Sequence, residues 1–453
     1  MTQTYKYLHF ISFQSLVNWS VAHLLNRDLG FTKHYPFIRI GDVLCRSALP
    51  VTIEDNILYT QVTLKTNGGG AVLRDKKLGK DIGTKKQYLA KEGQFIMSKI
   101  DARNGAFGII TKELKGAVVT GDFPLFDVDA NKINPTYLYL LSSTQPFVQY
   151  AQSCSRGTTN RQRIDIDAFL SLQIPLPSLD EQNNIVAAYN STLAQSALYA
   201  RQAQDIDAQI EAYLQEKLGF NVNINKKTSL LNFVNYIDLS RWDPHFLLSQ
   251  HKIGARYPLL SMGDVLSHFL TDKEGKSLRR ETTKAPQQKF QYIGMENIEK
   301  NTGRIIDSPT VNGSDIKSQT MSVPNGYFLY GKLRPYLNKY WYNNNTLNDN
   351  IVCSSEFFVF DIKENIMNKQ YFLSVLASYI VQKQLADAMS GARMPRITED
   401  TFRSIQIPLP PLDIQNEIVS HITSLRTEQK ALQQQSLSLR SAAQHQFTQT
   451  IFN

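Results

Sequence analysis

The chain has little cysteine: Cys45, Cys154 and Cys353 are its only three in 453 residues, odd in number, far apart, with no CxxC and no neighbouring His pair. That spacing argues against a disulfide framework and a zinc site, and it suits a reduced compartment. No apolar run approaches the roughly 18 to 20 residues that a membrane span needs. The N-terminal MTQTYKYLHF lacks the order of a signal peptide, so a cytoplasmic location and no membrane partner are expected. Catalytic signatures are missing as well. There is no GxxxxGK[ST], GxSxG or HExxH string, and the nearest phosphate-loop candidate, GKDIGTKK at 79–86, has the wrong order. An amino-methyltransferase should carry [DNS]PP[YFW]; Asn134-Pro135-Thr136-Tyr137 and Asp243-Pro244-His245-Phe246 lack the second proline and read as turns. The eight histidines are scattered; His245 and His251 can share a helical face, but no Cys lies near, so a structural role is favoured over metal binding. Spacing alone leaves open a set of carboxylates holding a nuclease metal.

What is present describes a globular chain of two or three domains, 42% apolar and 20% charged. Lys plus Arg exceed Asp plus Glu by 49 to 40, a net charge of +9, which favours a polyanionic partner. The chain also repeats itself. FLSLQIPLPSLDEQNNIVAAY (169–189) and FRSIQIPLPPLDIQNEIVSHI (402–422) share 13 of 21 residues at an offset of 233. YPFIRIGDVL (35–44) parallels YPLLSMGDVL (257–266) at an offset of 222. Between these anchors the halves diverge, so they share a scaffold but not a surface.

Each half divides at its IPLP string, where prolines forbid a helix; a helix must begin just after, with Asp180 or Asp413 as N-cap. From there, 180–218 and 413 to about 447 contain no Gly or Pro, and Gly219 suits the end of the first. Ile185, Tyr199 and Ile206 match Ile418, Leu432 and Leu439 in one row of a seven-residue repeat, which also carries Leu425. Tyr189 and Ile210, which match Ile422 and Ala443 at the same offset, lie in the other, so the helices read as an antiparallel coiled-coil spacer. The small and polar members Ser196, Gln429 and Ser436 are expected to weaken this seam and leave room for other partners. Two surface helices, each on its own domain, is the plainer alternative. The expected class is α+β: two globular mixed α/β domains related by the repeat and joined by two long antiparallel helices. The expected boundaries are a first domain 1–178, helix 179–219, linker 220–232, second domain 233–411 and helix 412–453.

The positive charge belongs to the globular halves: residues 1–168 carry +7 and 228–403 carry +4, whereas 169–227 carry −2. Phosphate-neutralising modules on a near-neutral spacer would look like this, as would an unliganded basic surface. Lys65, Arg74, Lys76, Lys77, Lys80, Lys85 and Lys86 surround the glycine-rich NGGGAVLRDKKLGKDIGTKK, which reads as a flexible basic loop. Lys99, Arg103 and Asn104 flank an Asn-Gly turn. In the second half, Arg279 and Arg280 form a basic pair, and GKLRPYLNKYWY (331–342) presents Lys332, Arg334, Tyr336, Asn338 and Lys339 among aromatics. Such side chains read guanine and adenine or stack on bases, although surface strands carry them too.

Over essentially its whole length the chain resembles the DNA specificity subunit of type I restriction-modification enzymes. The strings that carry the resemblance are RWDP (241–244), YIGMENI (292–298), GKLRPYLNK (331–339), SKIDARNGAFG (98–108) and the doubled IPLPxLDxQ at 174 and 407. SRGTTNRQRI (155–164) and SGARMPRI (390–397) are similar to the segment that precedes IPLP in that family. The resemblance implies two target recognition domains, each reading one half of a split site in double-stranded DNA. It implies a helical spacer that sets the gap and docks two methyltransferase subunits. S-adenosylmethionine and ATP would then belong to partner subunits, ATP to motor-nuclease subunits, and this chain would bind no cofactor and catalyse nothing. One departure is Asn18-Trp19-Ser20-Val21, which stands where the second half has RWDP. The rival readings are a self-contained methyltransferase or nuclease with unrecognised motifs, a subunit of a methylation-only complex, and a helical scaffold with no nucleic acid.

Overall fold

The computed structural model describes residues 31, 34–156, 163–223, 252–270, 285–345, 347, 350–389 and 394–452. Arg241–Pro244, the histidines 245 and 251, Asn18–Val21, Arg279 and Arg280 lie outside these, as do parts of the two segments that precede IPLP. The chain forms two compact units, divided at Ala200/Arg201 and again at Leu432/Gln433. Both cuts fall inside a long helix, Leu179–Leu218 and Leu412–Phe452, so each unit holds part of both helices.

In the first unit the IPLP prolines edge a short ladder, with Gln173–Pro175 antiparallel to Phe37–Arg39. A four-stranded antiparallel sheet follows in the order Leu44–Ser47, Leu125–Val128, Phe95–Met97, Phe107–Ile109. Its buried face supplies Phe95, Phe107 and Phe126, which meet Phe147 and Phe169 in an aromatic core. A five-stranded sheet is ordered Pro50–Thr52, Lys86–Leu89, Val118–Val119, Leu58–Lys65, Gly70–Leu78. The second unit repeats the plan. Gln406–Pro408 pairs with Leu259–Ser261, and one sheet runs Leu266–Leu270, Phe357–Ile362, Phe328–Gly331, Tyr340–Tyr342. The other runs Thr310–Asn312, Lys289–Ile293, Ile351–Ser354, Thr320–Ser322. The likeness extends to a parallel contact in each second sheet, Gln61 opposite Val118 and Gln291 opposite Ile351.

The glutamine of each IPLPxLDxQ string is fully buried and ties its long helix to its domain. Gln182 Oε1 accepts from Asn134 N at 2.7 Å, and its Nε2 donates to Pro177 O at 2.8 Å and Lys132 O at 3.2 Å. Gln415 repeats this with Asn368 N, Pro410 O and Ile366 O at 2.8, 2.8 and 2.9 Å. Tyr137 and Tyr371 then donate to Pro175 O and Pro408 O, proline carbonyls inside the IPLP strands. Asn134, read from sequence as part of a turn, is the N-cap of helix Pro135–Ser142 and accepts from Thr136 N at 2.8 Å. The expected caps Asp180 and Asp413 sit inside the first turn instead. Ser178 and Glu181 form the capping box of the first long helix, each accepting from the other's backbone N–H.

The helices run antiparallel. In the first unit Tyr189 lies beside Phe447 and Ser196 beside Ser436, so residue numbers rise in opposite directions. In the second, Lys217 pairs with Glu417 and Asp207 with Arg426. Ile206, Ile210, Ile418 and Ile422 are buried; Ile185, Tyr189, Tyr199, Leu425, Leu432 and Leu439 are half-buried. The small and polar members do not leave the seam open. Ser196 and Ser436 are buried and exchange hydroxyl-to-carbonyl hydrogen bonds of 2.8 and 2.9 Å. The residue equivalent to Ser196 in the second helix, Gln429, donates to Ala203 O at 2.8 Å. Small side chains let the backbones come near enough for these bonds to close.

Candidate nucleic-acid interface

The glycine-rich stretch of the first half is not a flexible loop. Leu58–Lys65 and Gly70–Leu78 form an antiparallel ribbon at the edge of the five-stranded sheet. The sequence obscures this, because charged residues and glycines at 67–80 mask the strand alternation. Val62 and Leu64 anchor the ribbon in a core with Ile96, Ile110 and Leu125. Gly108 lets it pass closely, since a Cβ there would stand 2.6 Å from Ala71 N. The tip is docked too: Asn67 N donates to Asn104 O at 2.8 Å, Gly68 N to Gly105 O at 3.2 Å and Tyr139 Oη to Gly68 O at 2.7 Å. Gly68 has φ +71° and fits against Ser143 where a side chain would collide.

This docking brings the turn carrying Arg103 and Asn104 to the ribbon end beside Lys65. Lys99 is half-buried, its backbone tied to Asp122 and Ile164. The other lysines do not surround one loop. Lys86 belongs to a strand separated from the ribbon by Val118–Val119, and Lys80 to a short 3-10 turn. Lys85 is committed to Asp55 at 2.6 Å and to Gly79 O at 2.8 Å. Along Gly70–Leu78 the register slips once. Gln61 faces Asp75 and Val62 faces Leu73, which leaves Arg74 without a partner across the ladder, a β-bulge. Leu73, Arg74, Asp75 and Lys76 are consecutively exposed. Asp75 is balanced by Lys77 at 3.5 Å, whereas Arg74, Lys76 and Lys65 form no ion pair with another described residue.

The second unit displays fewer of its candidates. Asn338 is buried with φ 45°; its amide oxygen accepts from Gln382 Nε2 at 2.9 Å and its Nδ2 donates to Ala377 O. It therefore braces the turn rather than facing solvent. Lys332 is half-buried, donating to Ser355 O at 2.9 Å with its ammonium 5.1 Å from the centre of the Phe358 ring. Lys339 donates to Met295 O. Arg334 and Tyr336 remain outward, at a 3-10 turn whose Pro335 is buried and whose Arg334 adopts φ 49°. Arg334 N is held by Pro395 O at 2.7 Å.

Neither buried thiol is a ready nucleophile. Burial pushes Cys154 and Cys353 up to about 12. Among the described residues, no cluster of three or more His, Cys, Asp or Glu is placed to hold a metal, and no helix is long and apolar enough to cross a membrane.

The model of the type I restriction modification DNA specificity domain matches twice, over residues 30–206 and 260–438. The chain belongs to this family. Each matched range takes one globular part and the start of its long helix. The specificity subunit of the type I restriction enzyme HindI from Haemophilus influenzae is 29% identical over 134 residues, 28% of this chain and 29% of that subunit. The alignment thus spans less than a third of that relative. A solved structure described as concerning complex assembly and conformational transition of the type I R-M system superposes with a TM-score of 0.53 at 15% identity, covering 93% of this chain and 98% of the other. The HsdS subunit from Thermoanaerobacter tengcongensis gives 0.44 at 16% identity over similar shares. At such identity the likeness of the first structure is one of fold. The buried glutamines Gln182 and Gln415, with the half-buried Asn368, are polar anchors to which sequence reasoning gave no role, although the doubled IPLPxLDxQ string marked both glutamines.

Proposed function

We propose that this chain is the non-catalytic DNA-reading subunit of a type I restriction-modification complex. Each unit reads one half of a bipartite site in double-stranded DNA, and the two helices fix the number of unread base pairs between the halves. The helices also dock two methyltransferase subunits, which bring S-adenosylmethionine; motor-nuclease subunits that use ATP join the larger assembly. The observation that carries this reading is the repetition of one scaffold under unlike basic surfaces. The first unit exposes a bulged ribbon with Arg74 and Lys76, the second a turn with Arg334 and Tyr336. Two different readers on one plan suit two different half-sites. Phosphate contacts from the remaining lysines would make affinity fall steeply with salt.

Mapping methylated adenines in cells with and without the chain is the direct test. Modified adenines in a two-part motif of constant gap should vanish without it. Transfer of labelled methyl groups by the purified chain alone would overturn the non-catalytic reading. If Arg334→Ala together with Lys332→Ala leaves specific binding intact, the second unit does not read DNA through this turn.

A further inference from the structure

The geometry points to Arg74 as a guanine-reading side chain, delivered into a DNA groove by the ribbon Leu58–Lys65/Gly70–Leu78, with Lys76 as its phosphate contact. This rests on the DNA-reading function proposed above and adds the element, the residue and the base. Three observations carry it. The ribbon is a two-stranded β-element at a sheet edge, the shape that the major groove admits besides a helix. Its outer strand exposes four residues in succession, so both of its faces meet solvent over Leu73–Lys76. The bulge falls on Arg74, and bulges re-aim the side chain they carry out of the ladder.

The charges around it are sorted in the same sense. Lys77 occupies Asp75, the one carboxylate on the strand, which leaves the guanidinium and the Lys76 ammonium unclaimed by described neighbours. A guanidinium presents a planar fork that matches O6 and N7 of guanine, whereas an ammonium is a point charge suited to phosphate. The docked tip, pinned by Asn104, Gly105 and Tyr139, holds the ribbon in place before any ligand arrives. The second unit has no such element among its described residues: its matching outer strand, Thr310–Asn312, has three residues. Charged residues also protect exposed strand edges from pairing with other chains, and the experiment separates that role from base reading.

The full chain, assembled with its methyltransferase partner, is presented with duplexes randomised at both half-sites, and bound sequences are counted. Arg74→Ala should erase a guanine preference at one position of one half-site, by roughly ten- to hundred-fold, and leave the other half-site unchanged. Arg74→Lys keeps the charge and should lose the same preference, which guards against a fold defect in the alanine variant. Lys76→Ala should weaken all sequences alike and lower the salt slope by about one. Unchanged base preferences in both Arg74 variants, or an equal loss at both half-sites, would overturn the assignment; aggregation with unchanged preference would assign the charges to edge protection. An unaltered complex that selects no sequence would instead remove the DNA-reading function itself.

Discussion

Gln182 shows how much one side chain holds in this fold. It is fully buried and makes three hydrogen bonds between the start of a long helix and its domain. Gln182→Ala strands a backbone N–H and two carbonyls, so the first unit should lose about 1–3 kcal/mol per group left unsatisfied, measurable by denaturant unfolding. Gln415→Ala should do the same in the second unit. At the surface, the Glu181 carboxyl is held below the usual carboxylate range, chiefly by the Ser178 backbone N–H it accepts from. Its folded-state pKa is lowered, so its cap contribution is complete above the ordinary carboxylate range and is lost as pH falls through the lowered value. Fraying of the first helical turn on acidification, followed by amide exchange, should be blunted in Glu181→Gln. The cysteines provide a further check. Alkylation of the native chain near neutral pH should modify exposed Cys45 while Cys154 and Cys353 react only after unfolding, as their burial and raised pKa require.

The long helices are elements whose sequence announces their limits better than their contacts. Uninterrupted Ala, Gln, Leu and Glu after the IPLP prolines located both starts to within a residue, because proline and helix propensity act locally. The seam could not be read in the same way: at Ser196 and Ser436 it is held by exchanged hydroxyl hydrogen bonds rather than apolar contact, and their value depends on the approach of a chain 240 residues away. Ser196→Ala should cost about 1–2 kcal/mol by leaving Ser436 half-satisfied, and coupling with Ser436→Ala should appear in a double-mutant cycle. Ser196→Leu should cost more, since a buried site this close has no space for three added carbons. By contrast, breaking the solvent-facing Lys217–Glu417 pair with Lys217→Ala should change stability much less than Ser196→Ala does in the same unfolding measurement. The ribbon was hidden for the opposite reason. Four exposed residues in a row carry no period-2 signal, and Arg74 breaks the alternation by being inserted rather than paired. The bracing role of Asn338 is hidden in the sequence because polarity there predicts exposure, whereas its amide is buried and braces a left-handed turn from within.

At the scale of the molecule, the repeat was legible from the doubled strings, because two copies of a packing solution keep the residues that pack, and the family from those strings together with single-copy ones such as SKIDARNGAFG and GKLRPYLNK. What the repeat does not announce is that each unit borrows part of its core from the other half of the sequence. Phe447 and Ile451 join Tyr137, Phe169 and Val186 in the first unit, while Ile206, Ile210, Leu214 and Leu218 join Phe328 and Phe372 in the second. A chain truncated before Gln433 should therefore expose Tyr137 and Val186, bind a hydrophobic dye and self-associate, whereas a cut within 224–251 with both fragments present should leave the first unit's core complete. Light scattering and dye fluorescence distinguish the two. In the full complex, a seven-residue insertion at equivalent points of both helices adds about 10 Å. That should lengthen the preferred gap by about three base pairs, at 3.4 Å of rise each.

Because Phe447 and Ile451 follow the whole second domain in the chain, the first unit cannot close its interior until that domain has been made. The part of its core around Tyr137 and Tyr189 has to wait, partly uncovered, through the synthesis of the entire second half. The lag between the emergence of residue 189 and that of residue 451 is then a window in which chaperone binding, or pairing with another nascent chain, competes with completion of the native fold.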